Sequence, residues 1–207
     1  MPQFPPFLRP LRSLLLLIAV LCSLAFVPAL GAQDLTIDLD PAATKIDFTL
    51  SATMHTVHGT FKLKSGRIHF DPSTGKMSGT IVVDATSAET GNSSRDAKMH
   101  DDILESKQFP EIAFLPNQAK GPLVQMLNQQ KAAQVEVSGV FRLHGQDHDA
   151  TLTMSVTPGA AGRMDISVQF PVPYVKWGLK NPSTLVLRVG DTVDMEVQTR
   201  GKIVMSP

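Results

Sequence analysis

The chain has 207 residues, and its 19 lysine and arginine residues are balanced by 19 aspartate and glutamate residues. The charges are scattered along the sequence, without a run of five like charges. A balanced and evenly distributed charge disfavours binding to nucleic acid and adhesion to an anionic membrane surface.

The N-terminal segment has the layout of a secretory signal peptide. Two arginines precede an uncharged stretch, 13–32, which has a leucine-rich centre and ends in small residues. This order is typical of a cleaved export signal. Pro28 interrupts the apolar part before it reaches the roughly 20 residues that a membrane span needs. We expect residues 1–32 to be a signal peptide and residues 33–207 to form one periplasmic or secreted domain; a retained anchor is the alternative.

The cysteine content limits the chemistry of the expected mature chain. The single cysteine, Cys22, lies inside the apolar stretch. Residues 33–207 therefore have no disulfide, no thiol nucleophile and no cysteine-based metal site. Because the predicted signal also contains two of the basic residues, the remaining 17 basic and 19 acidic residues give a net charge of −2.

Most of the mature sequence alternates between apolar and polar residues. This period of two is typical of strands with one dry face and one wet face, and it disfavours doubly covered parallel strands. The alternation predicts strands at 44–53, 57–64, 68–70, 134–143, 151–156, 166–170 and 193–198.

Short turn sequences separate these predicted strands. Lys64-Ser65-Gly66-Arg67 is interpreted as a tight reversal, and the segments 71–76, 144–147 and 158–162 as hairpin connections. Short connections join antiparallel neighbours, so an up-and-down order is favoured.

Two segments depart from the strand pattern. Residues 93–105 predict a helix capped by Ser93 or Ser94, with Met99 and Ile103 on one apolar face. A second short helix is expected within 121–130, and the proline-containing stretch 171–182 is expected to be irregular.

Together these elements predict an all-β fold, an antiparallel up-and-down barrel of about eight strands with one or two short helices. Closure of the sheet removes exposed strand edges. A barrel of this size either is filled by its own side chains or holds one small ligand. The predicted inward residues are aliphatic, aromatic or glycine, and they fit a packed core and an apolar ligand cavity equally well.

The polar residues do not form a recognisable catalytic or metal-binding motif, so we predict no catalytic residue and no metal site. His55 and His58 fall on opposite faces of a strand, which is unsuited to a shared metal. Arg95 is a candidate ligand for a polar head group at the barrel rim, with the alternative that it pairs with Asp96 or Asp84 and pins a loop. Tyr174 and Trp177 suit either a cavity mouth or a packed core.

Several motifs together resemble the YceI-like polyisoprenoid-binding family. The resemblance extends from about Leu35 to Val204, and its most specific part is an Arg-Asp helix followed by Phe-Pro-x-Ile-x-Phe. The matching segments are Ile46-Asp47-Phe48, Val57-His58-Gly59-Thr60-Phe61, Gly66-Arg67-Ile68, Gly79 to Ser87, Asn92-Ser93-Ser94-Arg95-Asp96, Phe109-Pro110-Glu111-Ile112-Ala113-Phe114, Val137 to Phe141 and Val189 to Val193. Many members carry a Lys-His pair where this chain has Ser51-Ala52.

The resemblance implies a lipocalin-like barrel that holds a long isoprenoid, such as a polyprenyl phosphate or a quinone tail, without a cofactor. A structural or stress-related interaction protein with a solid core is the first alternative, and an enzyme acting on such a lipid is the second. The predicted ligand-binding residues, besides the head-group candidate Arg95, are Phe48, Leu50, Val57, Phe61, Ile81, Val83, Met99, Ile103, Phe114, Val137, Phe141, Leu152, Met154, Val168, Phe170, Tyr174 and Trp177.

Overall fold

The computed structural model describes residues 34–53 and 55–205, so the predicted signal peptide lies outside the described residues. The described chain forms one antiparallel sheet that closes on itself. Its strands are β1 (Leu35–Leu39), β2 (Lys45–Leu50), β3 (Val57–Phe70), β4 (Met77–Glu89), β5 (Glu111–Lys120), β6 (Ala133–Leu143), β7 (Gln146–Pro158), β8 (Arg163–Val172) and β9 (Val193–Met205).

These nine strands occupy eight positions around the barrel. Both β1 and β2 pair with β3 on one side and with β9 on the other. A short 3₁₀ turn, Pro41–Ala43, separates them, so they form one interrupted strand. From β2 to β9 each strand pairs with the next along the chain, and the pairing of β9 with β1 and β2 closes the barrel. The predicted all-β, up-and-down barrel of about eight strands is confirmed.

Connections define two ends of the barrel. The upper end comprises residues 51–53, 55–56, 90–110, 144–145 and 173–192, which join β2 to β3, β4 to β5, β6 to β7 and β8 to β9. The lower end comprises residues 71–76, 121–132 and 159–162. The hairpins predicted at 71–76 and 144–147 are confirmed. His144 and Gly145 have φ angles of 52° and 72°, as a type I′ hairpin turn requires.

The reversal predicted at Ser65-Gly66 is wrong, because β3 continues through it from Val57 to Phe70. Gly66 pairs with Ile81 in the ladder. A Cβ atom at this position would come within 2.7 Å of a Leu39 side-chain atom. This glycine therefore makes room for the Leu39 side chain and does not form a turn.

The two predicted short helices are present, one at each end of the barrel. At the upper end α1 (Ser93–Lys98) continues into a π-helical turn, Met99–Ile103. The predicted serine cap is wrong: the Asn92 side chain accepts the backbone N–H of Arg95 at 3.0 Å. Asparagine caps as well as serine does, and here it precedes both serines. At the lower end lies α2 (Leu123–Gln129).

The main core fills the lower part of the barrel. Leu123 and Met126 of α2 are 7% and 3% exposed and belong to the same cluster as the inward residues of the strands. Val135 and Met164 are each 2% exposed and are the largest completely buried side chains among the described residues. The lower end of the barrel is thus plugged by apolar side chains, partly contributed by a helix.

A smaller apolar cluster lies at the upper end. It contains Leu143, Val172, Tyr174 and Leu179, with Trp177 packed against it. The cluster joins the ends of β6 and β8 to the irregular segment that follows β8. This packing fixes one side of the upper end.

Candidate functional site

The interior of the barrel above the filled core is an apolar cavity of about 530 Å³. Its volume is in the range of about 300–1,000 Å³ that small-molecule sites occupy. The inward residues of β8 show the change along one strand: Met164 is completely buried, whereas Ile166, Val168 and Phe170 keep accessible surface facing the cavity. On β8 the cavity therefore begins above Met164, whereas on β3 and β4 its lining reaches Ile68 and Met77, close to the lower connection 71–76.

Two polar groups in the wall of the cavity satisfy one another. Thr44 and Thr199 both line it, and their hydroxyls lie 2.6 Å apart. The Thr44 hydroxyl also donates to the Asp40 carbonyl oxygen at 2.7 Å. Polar groups that are already bonded offer little to water, and an aliphatic cavity without such partners stays dry. This part of the cavity wall is thus suited to an apolar guest.

The mouth of the cavity lies at the upper end. The exposed residues of the lining are His55, Lys98 and Thr184, which come from three different upper connections. The charged lysine and arginine side chains of the lining, Arg95 and Lys98, are both on α1, and no aspartate or glutamate lines the cavity among the described residues. The interior of the cavity is therefore apolar, and its mouth carries positive charge.

Arg95 is held by Thr90 and not by either predicted carboxylate. Its Nε donates to the Thr90 hydroxyl at 2.7 Å, and one terminal nitrogen donates to the Thr90 carbonyl oxygen at 3.1 Å. The Asp96 carboxylate accepts the backbone N–H and the hydroxyl of the same threonine. Asp84 instead caps the local turn at Thr86. The guanidinium is thus pinned at the mouth while its charge remains uncompensated by a direct carboxylate partner in the described chain.

Sixteen of the predicted ligand-binding residues line this cavity, as does the head-group candidate Arg95. Strand alternation and the apolar face of 93–105 account for the inward position of all but Tyr174, which lies in the connection after β8. The residues are Phe48, Leu50, Val57, Phe61, Ile81, Val83, Met99, Ile103, Phe114, Val137, Phe141, Leu152, Met154, Val168, Phe170 and Tyr174. Their contact with a ligand remains a prediction.

Trp177 is the exception, because it does not belong to the lining. Its ring stacks on His148 at 4.4 Å with an interplanar angle of 4°, and it lies 5.3 Å from Phe141. The tryptophan thus supports a lining residue from outside the cavity. An aromatic residue in an irregular segment has the same sequence signal whether it lines the cavity or packs behind a lining residue.

Sequence reasoning missed the contribution of the segment between β8 and β9. Pro182, Thr184, Leu187 and Val189 line the upper part of the cavity. This segment lacks the alternation of a strand, so no periodic signal could place its side chains. The isolated bridge between Ala52 and Val189 attaches it to the β2–β3 connection.

Tyr174 links this segment to the cavity wall. Its hydroxyl donates to the Gly190 carbonyl oxygen at 2.7 Å, while the ring is 5% exposed. Burial, with a smaller contribution from the nearby Asp191 carboxylate, raises the pKa of Tyr174 to about 12. The neutral phenol is therefore a structural donor at physiological pH.

The described histidines and acids do not converge. His100 bonds to the Ser106 hydroxyl and to the Ala88 carbonyl oxygen, both at 2.9 Å, and does not line the cavity. Three metal-ligating side chains do not come together anywhere in residues 34–53 and 55–205. In the same residues no helix is both long enough and apolar enough to span a membrane.

A closed antiparallel barrel with an internal apolar cavity defines the lipocalin-like class of protein. The profile of the YceI-like domain matches residues 38–200. The chain belongs to the YceI-like family. No curated protein matches the sequence significantly.

Solved structures share the fold at low sequence identity. Burkholderia cenocepacia BcnA is 17% identical with a TM-score of 0.64, over 79% of this chain and 99% of that one. A polyisoprenoid binding domain from Saccharophagus degradans, implicated in plant cell wall breakdown, is 17% identical with a TM-score of 0.61, over 81% and 98%. The Campylobacter jejuni YCEI protein is 18% identical with a TM-score of 0.54, over 75% and 88%.

Proposed function

We propose that this protein is an exported binding protein that holds one long isoprenoid lipid in the upper barrel. The observation that carries the proposal is the polarity of the cavity: a mostly apolar lining inside the barrel and two cations, Arg95 and Lys98, at its mouth. This gradient matches a molecule with a long apolar tail and a small polar head. We propose that the site binds this molecule and does not convert it.

The tail would supply most of the binding free energy. Apolar surface removed from water contributes about 25 cal/mol per Å². Several hundred Å² of tail would then contribute on the order of 10 kcal/mol before the entropic costs of ordering the lipid. Aliphatic and aromatic lining side chains impose shape on such a tail but few directional contacts, so the cavity is suited to a class of lipids more than to one compound.

The head group would lie beside Arg95 and Lys98. Guanidinium and ammonium groups are the common partners of phosphate oxygens. Because no carboxylate lines the mouth among the described residues, an anionic head is favoured over a cationic one. Ala52, which lines the cavity where many family members carry a basic pair, adds no charge. We propose a polyprenyl phosphate as the best fit and a quinone tail as the second.

Two comparisons support this function. The chain belongs to the YceI-like family, and the Saccharophagus degradans domain with the same fold is described as polyisoprenoid binding. The solid-core alternative has less support, because a cavity of about 530 Å³ lies inside the barrel. The enzymatic alternative would gain support if Arg95, His100 and a carboxylate met in one pocket, but His100 does not line the cavity.

The export part of the proposal rests on the sequence of residues 1–32. We propose that the mature protein is periplasmic or secreted. Intact-mass measurement of the protein from the cell envelope should give a chain that begins near residue 33. A mass that includes residues 1–32 would contradict cleavage.

Native mass spectrometry tests ligand binding. The protein purified from its native compartment should carry an apolar adduct that denaturation releases. The apo form should take up an added polyprenyl phosphate more tightly than the polyprenol of equal length. Substituting both cations in an R95Q/K98Q variant should remove that preference and keep polyprenol uptake.

A clean apo mass, with no uptake of polyprenyl phosphate, polyprenol or quinone, would contradict the lipid-binding function. An unchanged preference in R95Q/K98Q would contradict the head-group assignment alone. The melting temperature of R95Q/K98Q serves as the control for folding. It should be nearly that of the wild-type protein, because Lys98 is exposed and Arg95 is half-buried.

A further inference from the structure

The turn Thr184–Leu187 exposes two adjacent aliphatic side chains. Leu185 is 98% exposed and Val186 is 82% exposed. The turn is closed by a bond from the Thr184 N–H to the Leu187 carbonyl oxygen at 2.8 Å and by one from the Leu187 N–H to the Thr184 hydroxyl at 3.1 Å. Leu185 and Val186 thus form its tip, and we call this pair the apolar tip.

The apolar tip is held in place by bonds on both sides. The Arg188 N–H donates to the Thr53 hydroxyl, and the Thr53 N–H donates to the Arg188 carbonyl oxygen. The Val189 N–H donates to the Ser183 hydroxyl at 2.8 Å. A loop braced in this way does not bury its tip by collapsing onto the barrel. The flanking bonds thus hold both arms of the turn, and its two apolar side chains are exposed.

The position of the apolar tip coincides with the mouth of the cavity. Thr184 and Leu187, the residues that flank it, both line the cavity, and so do Pro182 and Val189. A molecule that enters or leaves the cavity at this side passes next to the tip. Elsewhere in the described chain the exposed large apolar residues are Val124 and Val204, at 38% and 42%, near the lower end.

We propose that the apolar tip inserts into the surface of a lipid bilayer and places the mouth of the cavity against the membrane. This inference rests on the proposed function, because a lipid of low solubility has to be collected from a bilayer or delivered to one. Leucine and valine partition favourably into the apolar region below the head groups. The tip is too small for a stable protein interface, which needs about 1,000 Å² of buried surface.

Insertion, and not long-range attraction, drives this docking. The expected mature chain has 17 basic and 19 acidic residues, which gives no strong overall attraction to an anionic surface. Lys98 and Arg188 are exposed at the same end as the tip and would contact head groups once it is inserted. We therefore expect binding to neutral vesicles, with a modest increase when anionic lipid is present.

Co-sedimentation with vesicles tests the proposal. The variant L185S/V186S removes the apolar tip, and V124S/V204S removes the same number of exposed apolar side chains near the opposite end. Vesicles of phosphatidylcholine, alone and mixed with phosphatidylglycerol, should bind the wild-type protein and the lower-end control equally. The tip variant should bind at least roughly tenfold more weakly, because two side chains that insert into the apolar region of the bilayer are lost. Any contribution from residues 1–32 is common to all three proteins.

Lipid transfer distinguishes this inference from the proposed function. Equilibrium uptake of a polyprenol from detergent micelles should be equal in all three proteins. The rate at which polyprenol is transferred between vesicles should fall only in the tip variant, by about the same factor as its vesicle binding. If the wild-type protein took up no polyprenol from micelles but still bound vesicles through the apolar tip, the proposed function would be contradicted and the docking proposal would stand.

Equal vesicle binding by the wild-type protein and L185S/V186S would overturn the docking proposal. So would the absence of vesicle binding in the wild-type protein. Tip-dependent self-association in gel filtration, without vesicle binding, would also overturn it and would identify the tip as a contact between copies of the chain.

Discussion

The two ends of the barrel have similar inward-facing sequences but opposite interiors. At the lower end Val135 and Met164 are completely buried, and α2 inserts Leu123 and Met126 into the same core. Farther up, inward residues of the same type line a cavity of about 530 Å³. Strand alternation therefore determines which face is dry, while the connections determine whether the dry space is filled.

The two helices account for this difference. In α2, Leu123 and Met126 are almost completely buried and act as a plug. In α1 and the π-helical turn no residue is completely buried, and Met99 and Ile103 line the cavity from above. One helix thus fills the barrel and the other covers it. The lower end supplies stability, and the upper end supplies the binding space.

The largest expected effect comes from a charge in the upper barrel. Phe48 is 5% exposed, lies 5.3 Å from Phe61 and lines the cavity. Phe48→Asp should destabilise the protein by about 5 kcal/mol or abolish lipid retention, because a lone carboxylate on a dry face has no partner. Urea unfolding and lipid uptake measure the two effects, with Phe48→Leu as the control. A normal unfolding curve together with normal uptake would mean that this face is not the binding face.

A matched pair of methionines compares the two ends directly. Met164→Ala in the lower core should cost about 2–5 kcal/mol of unfolding free energy, because it leaves a sealed void. Met154→Ala removes a side chain that lines an existing cavity and should cost about 1 kcal/mol. Equal losses in urea unfolding would mean that both ends are packed alike.

The opposite substitution sharpens the same comparison with a smaller effect. Val156→Phe in the filled lower core should destabilise the protein by about 1–3 kcal/mol through overpacking. Val168→Phe adds the same volume to the cavity, so its stability should change by less than about 1 kcal/mol while lipid uptake falls. Normal uptake by Val168→Phe would place the ligand elsewhere.

The smallest effect is expected in the titration of Tyr174, the only tyrosine of the chain. Its raised pKa favours the neutral phenol in the folded state, so the associated stability is complete below pH 10.0 and is lost as the pH rises through about 12. Absorbance at the phenolate band should give a single midpoint near 12. A midpoint at the ordinary value would mean that the upper cluster is open to water.

Much of this fold follows from the sequence because barrel strands alternate with a strict period. Phe141, Met154 and Phe170 were placed on the inner face by that period alone and line the cavity. Gly66 was misinterpreted as a turn because a glycine that accommodates Leu39 and a glycine that reverses the chain have the same local sequence signal. The capping role of Asn92 was missed because three consecutive residues there are all good caps.

The filling of the barrel could not be predicted, since it depends on how far two non-strand segments enter it. Val135 and Val168 are the same residue type in the same alternating pattern, and one is buried in the core while the other lines the cavity. The difference arises from α2 beneath the barrel and from the segment between β8 and β9 above it. Neither segment has a periodic apolar pattern from which its depth of insertion into the barrel could be predicted.

A crystal structure of the protein purified from its native compartment tests the central claim most directly. We expect continuous elongated density inside the barrel, from the Thr44–Thr199 pair to the Arg95 side of the mouth, with the lower core unchanged. An upper barrel closed by the protein's own side chains, or filled with ordered water, would contradict the account.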